Sequence, residues 1–109
     1  MTITITEFPY ANHHSWTDVT PYEVVRVISD KTIEIREMKA ERDESVKLDW
    51  EAGGFAGHCV NQRDQKWIIT PDPTAPVIRA RRRVDGYYHS AYGKHMLNAR
   101  PLKFYDYNF

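Results

Sequence analysis

Glu23-Val24-Val25-Arg26-Val27-Ile28 and Thr32-Ile33-Glu34-Ile35-Arg36-Glu37-Met38, joined by Ser29-Asp30-Lys31, decide the fold of this chain. In the second arm Ile33 and Ile35 fall on one side of an extended backbone and Glu34 and Arg36 on the other. This period of two predicts a strand with one core face and one wet face. Ser29-Asp30-Lys31 is short enough to turn the chain straight back, so the two arms predict an antiparallel hairpin.

Toward the N-terminus, Thr2 to Thr6 alternates Thr and Ile and predicts a short strand. Phe8 to Thr17 reads as a loop rich in aromatic and polar residues, and Thr20-Pro21 opens a new element. Toward the C-terminus, residues 36–51 hold ten charged residues in sixteen, a mixture that fits a short helix or a mobile hairpin loop equally well. Gly53-Gly54-Phe55-Ala56-Gly57 reads as a flexible turn. His58–Asn61 and Gln65–Thr70 predict a strand pair around Gln62-Arg63-Asp64, with Trp67 and Ile69 on one face. Pro71-Asp72-Pro73-Thr74-Ala75-Pro76 is a rigid turn, because proline fixes its own backbone angle. A strand from Val77 to Arg83 follows. Asp85-Gly86 turns it into Tyr87-Tyr88-His89, and His95-Met96-Leu97 makes a last short strand after Gly93. There is no repeat and no strong helical periodicity. The expectation is a mainly β chain, one domain over residues 1–109. It has six or seven strands in an antiparallel sheet or small barrel of sequential hairpins, with room for one short helix.

Composition narrows the function. The formal net charge is zero, but residues 1–57 carry a surplus of five acidic residues and residues 58–109 a surplus of five basic ones. A protein that coats duplex DNA is usually basic throughout, so a local basic pocket for a small anion fits better and nucleic acid is an unlikely partner. The opposed halves also suit acidic-to-basic assembly. No apolar run approaches the roughly 20 residues that span a bilayer, and the first residues lack a signal-peptide pattern. Cys59 is the single cysteine, so there is no internal disulfide framework. These features predict a cytoplasmic protein with no membrane partner.

The basic strand is Val77-Ile78-Arg79-Ala80-Arg81-Arg82-Arg83. Strand alternation predicts that Arg79, Arg81 and Arg83 share one face and that Arg82 points away, toward an acid or a neighbouring subunit. Guanidinium is planar, permanently charged and suited to two-pronged contact with phosphate oxygens. Trp67, Tyr87, Tyr88 and Tyr92 offer flat surfaces for a nucleobase, and Asn61 and Gln62 carry both donors and acceptors for a base edge or ribose hydroxyls. The group makes chemical sense for a nucleotide ligand. A solvated basic edge strand with ordinary core aromatics is the plainer alternative. Catalytic chemistry has no comparable pattern. His58 and Cys59 are strand neighbours on opposite faces, the histidines lack zinc-ligand spacing, and no P-loop, dinucleotide fingerprint or Ser-His-Asp signature occurs. No catalytic residue, metal or cofactor is therefore assigned. The tail Leu102-Lys103-Phe104-Tyr105-Asp106-Tyr107-Asn108-Phe109 holds four rings in six residues and should dock on this chain or on a partner.

Several segments carry a family resemblance: Trp16-Thr17-Asp18, Pro21-Tyr22-Glu23-Val24-Val25, Val27 to Ile33, Asn61-Gln62, Trp67-Ile68-Ile69-Thr70-Pro71-Asp72-Pro73 and Arg83-Val84-Asp85-Gly86-Tyr87. Together they cover about half the chain, and their overall pattern resembles the phage Thoeris anti-defence family of nucleotide sponges. The resemblance implies a non-catalytic role: binding a cyclic ADP-ribose-type signal or a cyclic oligonucleotide and keeping it from its effector. It also implies a homo-oligomer with ligands near subunit boundaries, acting in an infected bacterial cytoplasm. The short length and the acidic 36–51 segment depart from that pattern. A single-stranded nucleic-acid module and a structural or protein-interaction module are the competing expectations.

Overall fold

The computed structural model describes residues 8–53, 56–59 and 61–107. These form β1 (Tyr10–His14), β2 (Val19–Thr20), β3 (Tyr22–Val27), β4 (Thr32–Glu37), β5 (Lys39–Arg42), β6 (Trp50–Gly53), β7 (Ala56–Cys59), β8 (Trp67–Thr70), β9 (Val77–Arg82), β10 (Tyr88–Ser90) and β11 (Gly93–Asn98). Among the described residues the helical content is one 3-10 turn at Gln62–Asp64. The chain is thus mainly β. The expected strand at Thr2–Thr6 lies outside the described residues.

The β3–β4 hairpin forms as its alternation dictates, with Ile33 and Ile35 fully buried. Pairing shifts between Val24 and Arg26: Val24 opposes Ile35, then Arg26 opposes Glu34. The extra residue, Val25, is a bulge, and bulges bend a strand and add twist. Here it also carries Arg26 to the wet face beside Glu34. Six strands, ordered β1-β3-β4-β9-β10-β11, close into an antiparallel barrel because β11 pairs back onto β1. Closure leaves no barrel edge unpaired. The interior holds Ala11, Tyr22, Val24, Ile33, Ile35, Ala80 and Tyr88, flanked by Val27, Ile78 and Leu97. Small Ala11 and Ala80 leave a narrow barrel room for two tyrosine rings.

β1 overturns the expected loop at Phe8–Thr17. Its polarity is internal: Asn12 is fully buried, and its side chain holds the segment after β11. Nδ2 donates to the Arg100 carbonyl at 2.9 Å, and Oδ1 accepts from the Leu102 N–H at 3.0 Å. Gly93 opens β11 at φ +132°, and a Cβ there would lie 3.0 Å from Cε1 of His13. Gly93→Ala is therefore expected to cost on the order of 1–3 kcal/mol of stability in urea unfolding. An unchanged midpoint would mean that both backbone angle and ring relax freely.

Between β4 and β9 the chain makes an excursion out of the barrel. β5 pairs with β8, and β6 pairs with β7. This corrects two expectations. Residues 39–42 are strand, neither the short helix nor the mobile loop that their charge mixture fitted equally, because their charges also fit a period of two. Ala40 and Arg42 lie half-buried opposite Ile69 and Trp67, while Lys39 and Glu41 are exposed opposite Thr70 and Ile68. Residues 62–64 are a 3-10 turn between different ladders, so β7 and β8 do not pair with each other. The aromatic tail docks in cis through Phe104–Tyr107, while Asn108 and Phe109 lie outside the described residues. Phe104 bridges Val19, and Tyr105 exchanges both backbone groups with the Gln65 amide. The Asp106 N–H donates to Asp18 Oδ1, and Tyr107 packs edge-on against Trp50 at 5.7 Å.

Candidate functional site

β9 lies between β4 and β10, and its register sets the site. Arg79 opposes Glu34, Arg81 opposes Thr32 on one side and His89 on the other, and Arg82 opposes Tyr88. Alternation puts Ala80 fully inside and leaves Arg79 and Arg81 exposed. β9 ends at Arg82, so Arg83 belongs to the turn, where its N–H donates to the Tyr87 carbonyl at 3.0 Å. Arg82 is half-buried at the strand end. Despite these different placements, all four arginines line one open groove of about 600 Å³, together with His89, Ser90 and Ala91. Arg82 borders the groove but keeps the parity of buried Ala80 and opposes core Tyr88, so it stands on the other face of β9 from Arg79 and Arg81.

The four guanidinium groups are not equivalent. Glu34 Oε2 lies 3.7 Å from Arg79, and Oε1 lies 3.9 Å from Arg26. One carboxylate thus serves two cations, so Arg79 is partly neutralised. Among the described residues, no carboxylate pairs with Arg81, Arg82 or Arg83. Asp85, in the next turn, pairs with the groove-lining His89 instead of an arginine. Its Oδ1 accepts from the Tyr87 N–H at 2.9 Å, and its Oδ2 lies 2.8 Å from His89 Nε2. The Tyr87 N–H first, and then His89, hold the Asp85 carboxyl below its ordinary range.

Ser90 borders the groove, and its side chain turns into the barrel interior. Its Oγ is 2.7 Å from Nε2 of His95, which is fully buried. The Ala11 carbonyl lies 3.0 Å from His95 Nδ1. Burial pushes the His95 pKa down to about 4, against the opposing effect of the Ala11 hydrogen bond. The Tyr92 N–H donates to Ser90 Oγ at 3.1 Å.

The expected base-reading residues are not assembled beside the arginines. Tyr88 is 1% exposed and donates its hydroxyl to the Asp30 carbonyl at 2.8 Å, so it is core rather than a stacking surface. Trp67 belongs to the β5–β8 ribbon. Its Nε1–H donates to Gln65 Oε1, and the Lys103 ammonium sits 5.5 Å from its ring centroid. The Asn61 amide accepts from the Asp49 N–H and donates to the Lys47 carbonyl. Gln62 Oε1 accepts from the Tyr107 N–H. Both amides therefore brace the backbone. Tyr87 is half-buried with Lys94 Nζ 4.6 Å from its ring centroid, and it is absent from the groove wall. Sequence reasoning missed His89 and Ser90, whose relevance depends on the β9–β10 register.

Cys59 is buried, as a structural cysteine would be. Among the described residues, no three His, Cys, Asp or Glu side chains converge to hold a metal. No helix among them is long and apolar enough to cross a membrane. No protein-family model, curated protein or solved structure matches the chain.

Proposed function

We propose that this chain is a non-catalytic binding protein that sequesters a phosphate-bearing small molecule of the cyclic nucleotide class in the β9 groove. The observation that carries this reading is the set of three arginines, Arg81, Arg82 and Arg83, which share one groove without a carboxylate partner among the described residues. Like charges so placed repel, by about 1 kcal/mol per pair at 4 Å in bulk water and more where water is excluded. A multiply charged anion reverses the sign of that interaction and satisfies the planar donors two at a time. Arg79, shared with Glu34, is a secondary contact. The zero net charge favours a short anion over a long polyanion. The resemblance to nucleotide sponges agrees with this ligand class and supplies the cyclic signal as its specific form.

The test is retention followed by release. The protein is incubated with cyclic ADP-ribose or a cyclic dinucleotide, desalted, heat-denatured, and the supernatant analysed by mass. Intact ligand in stoichiometric amount is expected. A cleaved product would replace the sponge with an enzyme, and failure to retain either probe would remove the binding function.

A further inference from the structure

The stacking surface missing from the arginine groove stands one groove away. Trp16 is 97% exposed and Tyr92 63% exposed, and both line an open groove of about 490 Å³ with His13, His14 and Lys94. The two grooves adjoin at the β10–β11 hairpin. Ser90 pairs with Gly93, which leaves Ala91 and Tyr92 as the turn residues. Ala91 lines the arginine groove and Tyr92 the ring groove. Behind the turn, His89 opposes Arg81 on one side and Lys94 on the other. Directly opposed strand residues share a face, so Arg81, His89 and Lys94 make one outward row across three strands. Neighbouring strands lie about 4.8 Å apart, which separates the ends of the row by about 10 Å. Neither groove has an acidic residue in its lining.

We infer that Trp16 and Tyr92 seat the base of the nucleotide whose phosphates lie on the β9 arginines, so that the ligand straddles the β10–β11 hairpin. This rests on the phosphate reading of the arginine groove. The charge of the two grooves divides as a nucleotide's does. The arginine groove holds four permanent cations. The ring groove holds one, Lys94, whose ammonium is already 4.6 Å from the Tyr87 ring centroid. Burial first, and then Lys94, hold the His14 imidazole below its ordinary pKa, so it adds no charge at neutral pH. A neutral base suits that groove, because every base has a π-face and stacking takes base and ring out of water together. An apolar peptide side chain would cover the same rings, but it leaves their place beside the arginines without a reason.

The experiment titrates the full chain at low salt with inorganic pyrophosphate and with ADP, following heat and tryptophan emission. ADP is expected to bind about five-fold or more tightly than pyrophosphate, the low end for one base stacked on an aromatic ring, and to quench the emission. Trp16→Ala should remove most of that preference and leave pyrophosphate affinity unchanged. Trp16→Phe keeps a ring, so it should keep the preference and lose the quench. A side chain 97% exposed contributes little packing, so both variants are expected to fold, and a ratio within one variant is not mimicked by partial destabilisation. Equal binding of the two probes to the unaltered protein, or an unaltered ratio in Trp16→Ala, would overturn the base seat. So would a quench that persists in Trp16→Phe, which would place the base at another tryptophan. No binding of either probe would instead overturn the phosphate reading beneath it.

Discussion

Replacing Arg81, Arg82 and Arg83 together by Gln is expected to weaken ADP binding by at least about a hundred-fold, while the melting temperature stays level or rises slightly. The two effects have opposite signs for one reason. Unpaired guanidinium groups repel each other in the free protein and attract a phosphate in the complex. A charge-assisted hydrogen bond commonly contributes about 1.5–3 kcal/mol, so the loss of two already reaches that factor even after solvent screening. Arg79→Gln is expected to cost less, about ten-fold at most, because Glu34 already holds part of its field at 3.7 Å. Titrations at about 50 and 200 mM salt add a second readout. A small anion neutralised by a few arginines gives a shallow salt dependence, whereas an oligonucleotide bound along a track gives a steep, length-dependent one. A triple variant that binds ADP like the parent would sink the site. A larger loss from Arg79→Gln than from the triple variant would move it toward Glu34 and Arg26.

The parts of this architecture that were legible are those whose side chains obey local alternation. Ile33 and Ile35 against Glu34 and Arg36 gave β4 its inward and outward faces, and Ile78 and Ala80 against Arg79 and Arg81 did the same for β9. β1 was illegible because the barrel carries Asn12 inside, where it holds the returning tail, so a core strand looked polar. β5 was illegible because its partner β8 lies beyond an intervening hairpin, and nothing local specifies a pairing over that distance. The candidate site divides in the same way. The arginine row was visible in the sequence, but its neighbours were set by register. Tyr87 and Tyr88 are chemically alike. A one-position difference in parity puts Tyr88 opposite Arg82 and into the core and leaves Tyr87 at the surface turn. The same register brings His89 beside Arg81 and leads to Ser90 at the groove wall.

The buried imidazole of His95 makes acid the most damaging condition for this fold. His95 lies with Tyr22 edge-on at 4.9 Å and the His13 ring at 5.1 Å, and His89, His14 and Lys94 are the other basic groups in its neighbourhood. Its pKa falls from the ordinary 6.5 to about 4, chiefly because burial penalises the charged ring. The unfolded chain therefore binds a proton between these values that the folded chain refuses. Stability from this group is fully present above about pH 6.5 and is lost as pH falls toward 4, by on the order of 3 kcal/mol. His14, also lowered by burial, acts in the same direction. The lowered carboxylates Asp43, Asp72 and Asp85 contribute in a separate window, below their ordinary 3.8. Urea unfolding at pH 7.5, 6.5, 5.5 and 4.5 should show the native protein losing stability progressively through the last three. His95→Gln, whose amide can still donate to Ala11 and accept from Ser90, should begin less stable at pH 7.5 and change far less across that range. Parallel curves for the two proteins would mean that His95 takes up its proton in the folded barrel without penalty, and the neutral ring assigned to the barrel interior would have to be abandoned.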